Sequence, residues 1–113
     1  MLNQKEGWSN LVQKEEETKI AWQNSTIKYV VYDGEILVGY VRGMTDKYVT
    51  LYVCEILINQ EYRGLGIGEQ LLKYIHSLYP KTRMELLASS SSSIFYEKLG
   101  FRKFYGYRKS YGE

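Results

Sequence analysis

Apolar positions along this chain change their period several times, and each change marks an element. Residues 13–24 are charged and lack strand alternation, so they read as a surface helix turning Ile20, Ala21 and Trp22 inward. Ahead of it, Gly7-Trp8-Ser9-Asn10 reads as a turn with a buried aromatic. Two β-rich runs follow, 27–32 and 36–41, joined by Asp33-Gly34-Glu35, and an Asp-Gly between such runs is a strong hairpin signal. A loop over 43–47 leads into a long apolar strand, 49–58. Leu71, Leu72, Ile75, Leu78 and Tyr79 then fall at the spacing of one buried helix face, which Pro80 closes. Residues 83–88 read as a short strand, the serines of 89–93 as a loop and N-cap, 94–99 as a short helix stopped by Gly100, and 101–107 as a final strand. The order predicts one α/β domain over 1–113 with a mixed sheet (an α+β arrangement), in which a crossover helix joins two neighbouring parallel strands.

Composition narrows the class. The net charge of +2 is too slight for a dedicated nucleic-acid binder, so no nucleic acid is expected. One cysteine excludes an internal disulfide and suits the reducing cytoplasm; with a single histidine beside it, the usual zinc sites are out of reach, and no metal is expected. No run approaches the ~18 apolar residues of a membrane span, and the first six residues carry no apolar signal region. Twelve tyrosines stand out, and half-buried strand and rim positions account for them, since an amphipathic ring fits there.

The chemistry concentrates in Glu61-Tyr62-Arg63-Gly64-Leu65-Gly66-Ile67-Gly68-Glu69, where three glycines in five residues separate the long strand from an amphipathic helix. Such glycines let backbone N–H groups approach a ligand, and the helix start adds unpaired donors and a positive dipole end. This is a phosphate cradle. Its spacing fits neither a Walker loop, which needs Gly-Lys-Ser/Thr, nor a dinucleotide fingerprint, whose third glycine would fall at Glu69 or Leu71.

Arg63, Gly66 and Gly68 do form Arg-x-x-Gly-x-Gly, and Phe95-Tyr96-Glu97-Lys98-Leu99-Gly100-Phe101 follows about thirty residues later. Together with the strand between them, these two blocks resemble the acyl-CoA motif and the C-terminal signature of the GNAT superfamily of N-acetyltransferases, over roughly residues 27–107. The resemblance implies a GNAT-like acyl-CoA N-acyltransferase fold, short at its N-terminus, that moves the acetyl group of acetyl-CoA directly to an amine. It implies that the strands at 49–58 and 83–88 part to admit pantetheine, paired with the main chain of Leu57, Ile58 and Asn59. It places the pyrophosphate on Arg63, Gly64, Leu65, Gly66, Ile67 and Gly68. Ser89 stands where many relatives carry an asparagine that holds the pantetheine or a water. Six residues precede the segment that matches Gly7-Trp8, where relatives add a strand and a helix, so a partner subunit of a homodimer is one source of the missing wall.

Two residues read as catalytic. Glu55 interrupts an apolar run, where desolvation raises a carboxylate toward the range of a working base; the resemblance gives it the acceptor's proton, and a structural pair with a buried Arg, Lys or Tyr is the other reading. Tyr96 matches the superfamily tyrosine that protonates the departing thiolate. Cys54 is expected on the opposite face of the strand from Glu55, as core, and His76 on the surface of the crossover helix. The acceptor reads as a primary amine of a small molecule. The rival reading is a catalytically weak acyl-CoA-binding regulatory or interaction module of the same fold.

Overall fold

The computed structural model describes the backbone of residues 8–113 and side chains from Glu15 onward. Helix α1 (Trp8–Asn24) comes first, followed by strands β1 (Ile27–Asp33), β2 (Ile36–Thr45) and β3 (Thr50–Ile58). A 3-10 turn (Gln60–Tyr62) then leads to α2 (Ile67–Leu78), β4 (Arg83–Leu86) and α3 (Ser93–Lys98). The four strands form one sheet in the order β1-β2-β3-β4, with β1 to β3 antiparallel and β4 parallel to β3 across the α2 crossover. The mixed α/β architecture and the crossover are as expected.

The core lies between one sheet face and α2. Leu71, Leu72 and Ile75 of the helix pack on Ile27, Val41, Leu51 and Val53, all buried. Each such side chain contributes roughly 1.5–3 kcal/mol by leaving water, so this cluster fixes how α2 and the turn before it sit on β3. Val38 and Tyr40 are also buried, and Tyr40 meets Trp22 of α1 edge to face at 5.3 Å between ring centres.

Several boundaries differ from expectation. Trp8, Ser9 and Asn10 are helical rather than a turn, since no glycine or proline between Trp8 and Asn24 interrupts the helix; Gly7 and the burial of Trp8 lie outside the described residues. Strand β2 continues to Thr45, because Gly43, Met44 and Thr45 still pair with Val53, Tyr52 and Leu51. The turn therefore begins at Asp46, whose carboxylate accepts from the N–H groups of Tyr48, Val49 and Thr50, and β3 begins at Thr50 rather than Val49. Strand β4 stops at Leu86, where its pairing with β3 stops. Residues 101–107 form no strand. Phe101 instead donates its N–H to the Tyr96 carbonyl, closing α3, and Tyr105 and Tyr107 are almost fully exposed. A strand needs a partner, and the short β4 does not extend far enough to supply one.

A further difference bears on the site. The β2–β3 register shifts at Arg42/Gly43: Gly43 faces Val53 and Arg42 faces Glu55, leaving Cys54 as the extra residue of a bulge. Simple alternation therefore does not separate Cys54 from Glu55. Both line the same cavity.

Candidate active site

Past Val53 and Leu86 the two parallel strands part company. Strand β3 runs on to Ile58 with no neighbour on that side among the described residues, while the chain after β4 turns into the serine loop. Backbone direction along the free stretch follows from its pairing with β2. Asn59 donates its N–H to the Val38 carbonyl at 2.6 Å, and residues directly opposite alternate between bonded and unbonded pairs. Asn59, Leu57 and Glu55 therefore turn their main chain toward β2. Ile56 and Ile58 turn theirs toward the gap; of Leu57, Ile58 and Asn59, only Ile58 does so.

The gap ends at the glycine turn. Gly64 and Gly66 adopt left-handed backbone, with φ of +82° and +80°, which bulkier residues reach only under strain. Gly66 caps α2 with no side chain of its own, and the Gln70 N–H bonded to the Gly66 carbonyl is the first bond of the helix. The N–H groups of Ile67, Gly68 and Glu69 thus lack helical partners and lie where the dipole favours an anion. A Cβ at Gly64 or Gly66 meets nothing within 4 Å, whereas one at Gly68 lies 3.5 Å from the Phe95 ring, so Gly68 packs toward α3. Arg63 folds back, its Nε donating to the Ile58 carbonyl at 3.0 Å. Leu65 is exposed. Tyr62 donates its hydroxyl to Asp33 at 2.9 Å and so ties the turn to the β1–β2 hairpin.

Where the strands separate lies a cavity of about 310 Å³, lined by Val53, Cys54, Glu55, Ile56, Leu86, Leu87, Ser89, Ser92 and Tyr96. Three sequence-predicted residues meet there: Glu55 from β3, Tyr96 from α3 and Ser89 from the loop between β4 and α3. Residues 57–59 and 63–68 lie outside it, along the continuation of β3 and the turn. Tyr96 and Ser89 also border an open groove of about 1170 Å³ between α2, β4, α3 and the closing segment.

Tyr96 is half-buried, with its ring edge to face against Phe95 and Phe101. Its hydroxyl makes no hydrogen bond among the described residues, and burial pushes the phenol above its ordinary pKa of 10.0. The Ser89 hydroxyl lies 2.9 Å from that of Ser91 and 3.1 Å from that of Ser92, while its carbonyl accepts from the N–H groups of Ser92 and Ser93. Ser89 thus organises the entry to α3.

Glu55 is not the isolated carboxylate that its apolar neighbours suggest. Its Oε1 accepts from Arg42 Nε at 2.8 Å, and its side chain is 37% exposed while that of Arg42 is 19% exposed. The carboxylate is thus paired with a partly buried Arg beside the cavity. Tyr40 is the carboxylate's other neighbour; burial first, and then the Glu55 charge, push its phenol above the ordinary value. Arg42 and Tyr40 escaped the sequence reading because matching Arg42 to Glu55 requires knowing the bulge. Among the described residues no cluster of three or more His, Cys, Asp or Glu could hold a metal ion, and no helix is long and apolar enough to cross a membrane.

A model of a family described as an acetyltransferase (GNAT) domain matches residues 24–103. An uncharacterized N-acetyltransferase, ycf52, of Pyropia yezoensis is 30% identical over 95 residues, which is 75% of this chain and 53% of that protein. The chain spans only about half the length of that relative. Among solved structures, a GNAT-family acetyltransferase, SP0256, from Streptococcus pneumoniae TIGR4 superimposes with a TM-score of 0.76 at 22% identity, covering 92% of this chain and 88% of that one. An aminoglycoside N-acetyltransferase, AAC(6')-Iy, in complex with CoA, superimposes with a TM-score of 0.62 at 15% identity over 97% of this chain and 96% of its own.

Proposed function

Because the chain belongs to the GNAT acetyltransferase family, we propose that residues 1–113 act as one cytoplasmic N-acetyltransferase domain that moves the acetyl group of acetyl-CoA directly to a primary amine of a small molecule. The observation that carries the reading is the parting of β3 and β4 past Val53 and Leu86, with Glu55 and Tyr96 lining one cavity in the opening.

Pantetheine adds along β3 as an extra strand, pairing with the main chain of Ile56 and Ile58. The pyrophosphate rests on the turn at 63–68, against the unpaired N–H groups at the start of α2. The amine nitrogen attacks the thioester carbon, and its proton passes to Glu55 through water. The Ile56 N–H, directed at the gap, stabilises the charge that develops on the carbonyl oxygen. As the carbon–sulfur bond breaks, Tyr96 gives its proton to sulfur. Burial keeps the phenol in its protonated form until that step.

One observation favours the reading as an acyl-CoA-binding module with weak turnover: Glu55 already has a cationic partner in Arg42. A panel of small amines with detection of released thiol, run beside calorimetry with acetyl-CoA, separates the two. Binding with amine-dependent release supports the enzyme. Binding with no release from any amine supports the module, and no binding removes both.

A further inference from the structure

Arg42 does more than neutralise a charge. Its guanidinium bridges two elements, donating through Nε to Glu55 Oε1 at 2.8 Å and through Nη1 to Ser25 Oγ at 3.4 Å. Ser25 is itself fixed: its side chain, 3% exposed in the residue as a whole, donates to the Ala21 carbonyl at 2.7 Å, and its N–H donates to the Trp22 carbonyl. The connection runs from the end of α1 through Ser25 and Arg42 to a carboxylate on the wall of the cavity. Without the bulge at Cys54, Arg42 and Glu55 would not be cross-strand partners.

We propose that Arg42 is a positioning residue, which holds Glu55 by Oε1 so that the carboxylate presents its other oxygen to the acceptor amine or its water. The proposal rests on the reading of Glu55 as the base. The groups around that carboxylate are Arg42 and Tyr40 from β2, Cys54 beside it on β3, and Tyr96 across the cavity. Of these, only Arg42 is a cation, and it reaches Glu55 and Ser25 with separate nitrogens. A lysine keeps the charge but not the planar fork that makes both bonds at once. An ion pair exposed on both sides contributes little, but here one partner is largely buried and bonded at both ends.

A kinetic double-mutant cycle tests this, because residues acting through one another lose activity non-additively. Arg42→Gln lowers kcat about tenfold in the wild-type background and less than twofold in a Glu55→Gln background. The KM for acetyl-CoA and its calorimetric affinity stay unchanged, and Arg42→Lys falls between wild type and Arg42→Gln. Equal losses in both backgrounds, or an Arg42→Lys enzyme indistinguishable from wild type, would overturn the positioning role while leaving Glu55 as base. A fully active Glu55→Gln enzyme instead removes the base reading, and this proposal with it. Should Arg42→Gln fail to fold, Arg42→Lys carries the same cycle.

Discussion

Gly66 and Gly68 look equivalent in the sequence, and the structure makes them opposites. Gly66 sits at φ +80° with open space where a Cβ would point, and Gly68 lies within α2 with its Cβ direction toward Phe95 and Ile58. Gly66→Val therefore costs about 1–2 kcal/mol of backbone strain without a clash, and its side chain stands over the ground assigned to the pyrophosphate. At about 4 °C per kcal/mol for a domain of this size, the Tm without ligand falls by about 4–8 °C. Gly68→Ala does the reverse. Its methyl meets Phe95 and Ile58 at ordinary contact distances, and Ala gains up to about 1 kcal/mol over Gly inside a helix. Acetyl-CoA at a hundred times its Kd stabilises by about 2.7 kcal/mol, equivalent to about 10 °C. A thermal-shift titration then separates strain from binding: Gly68→Ala keeps the ligand shift from a higher starting Tm, and Gly66→Val loses it. A Gly66→Val protein that melts lower but shifts as far as wild type refutes the cradle.

Glu55→Gln is expected to leave calorimetric acetyl-CoA affinity intact and lower turnover by ~10²–10⁴-fold, with the deficit narrowing as pH rises and the amine loses its proton unaided. Turnover equal to wild type at every pH would assign the proton to another group. Tyr96→Phe keeps the ring and removes the donor, so turnover falls roughly 10²-fold, and less with a thioester of a more acidic thiol. Since burial raises this phenol, any alkaline loss of kcat caused by Tyr96 lies above pH 10.0, and a tyrosine-dependent limb below that would contradict its placement. Asp46 is held below its ordinary carboxylate value of 3.8 by the N–H groups of Val49, Thr50 and Tyr48. A depressed pKa in the folded state gives stability that is fully present above 3.8 and is lost as pH falls through the lower folded value. The Tm gap between wild type and Asp46→Asn is therefore constant at neutral pH and closes in acid, and a gap that persists well below 3.8 refutes the assignment.

What the sequence discloses depends on whether a feature is satisfied locally. Helix α2 was legible because Leu71, Leu72 and Ile75 need only a 3.6-residue period to share a face, and the glycine turn because positive φ is a demand on single residues. The segment 101–107 carries aromatic residues at strand-like spacing, yet strand formation depends on a neighbour's edge, and no local pattern reports whether that edge is in reach. The same limit governs the chemistry. Cys54 and Glu55 were separable by alternation only if the strand was regular, and one extra residue there broke the alternation and set Arg42 opposite Glu55. The identity of the candidate base was thus readable from its apolar neighbours, while its partner, its exposure and the direction of the Ile56 N–H all follow from the β2–β3 register. Because that register is fixed by hairpin pairing across residues 36–58, a change that relaxed the bulge would realign Glu55 against β2 without touching either motif block. The chain would still read as the same family, and the candidate base would no longer stand opposite Arg42.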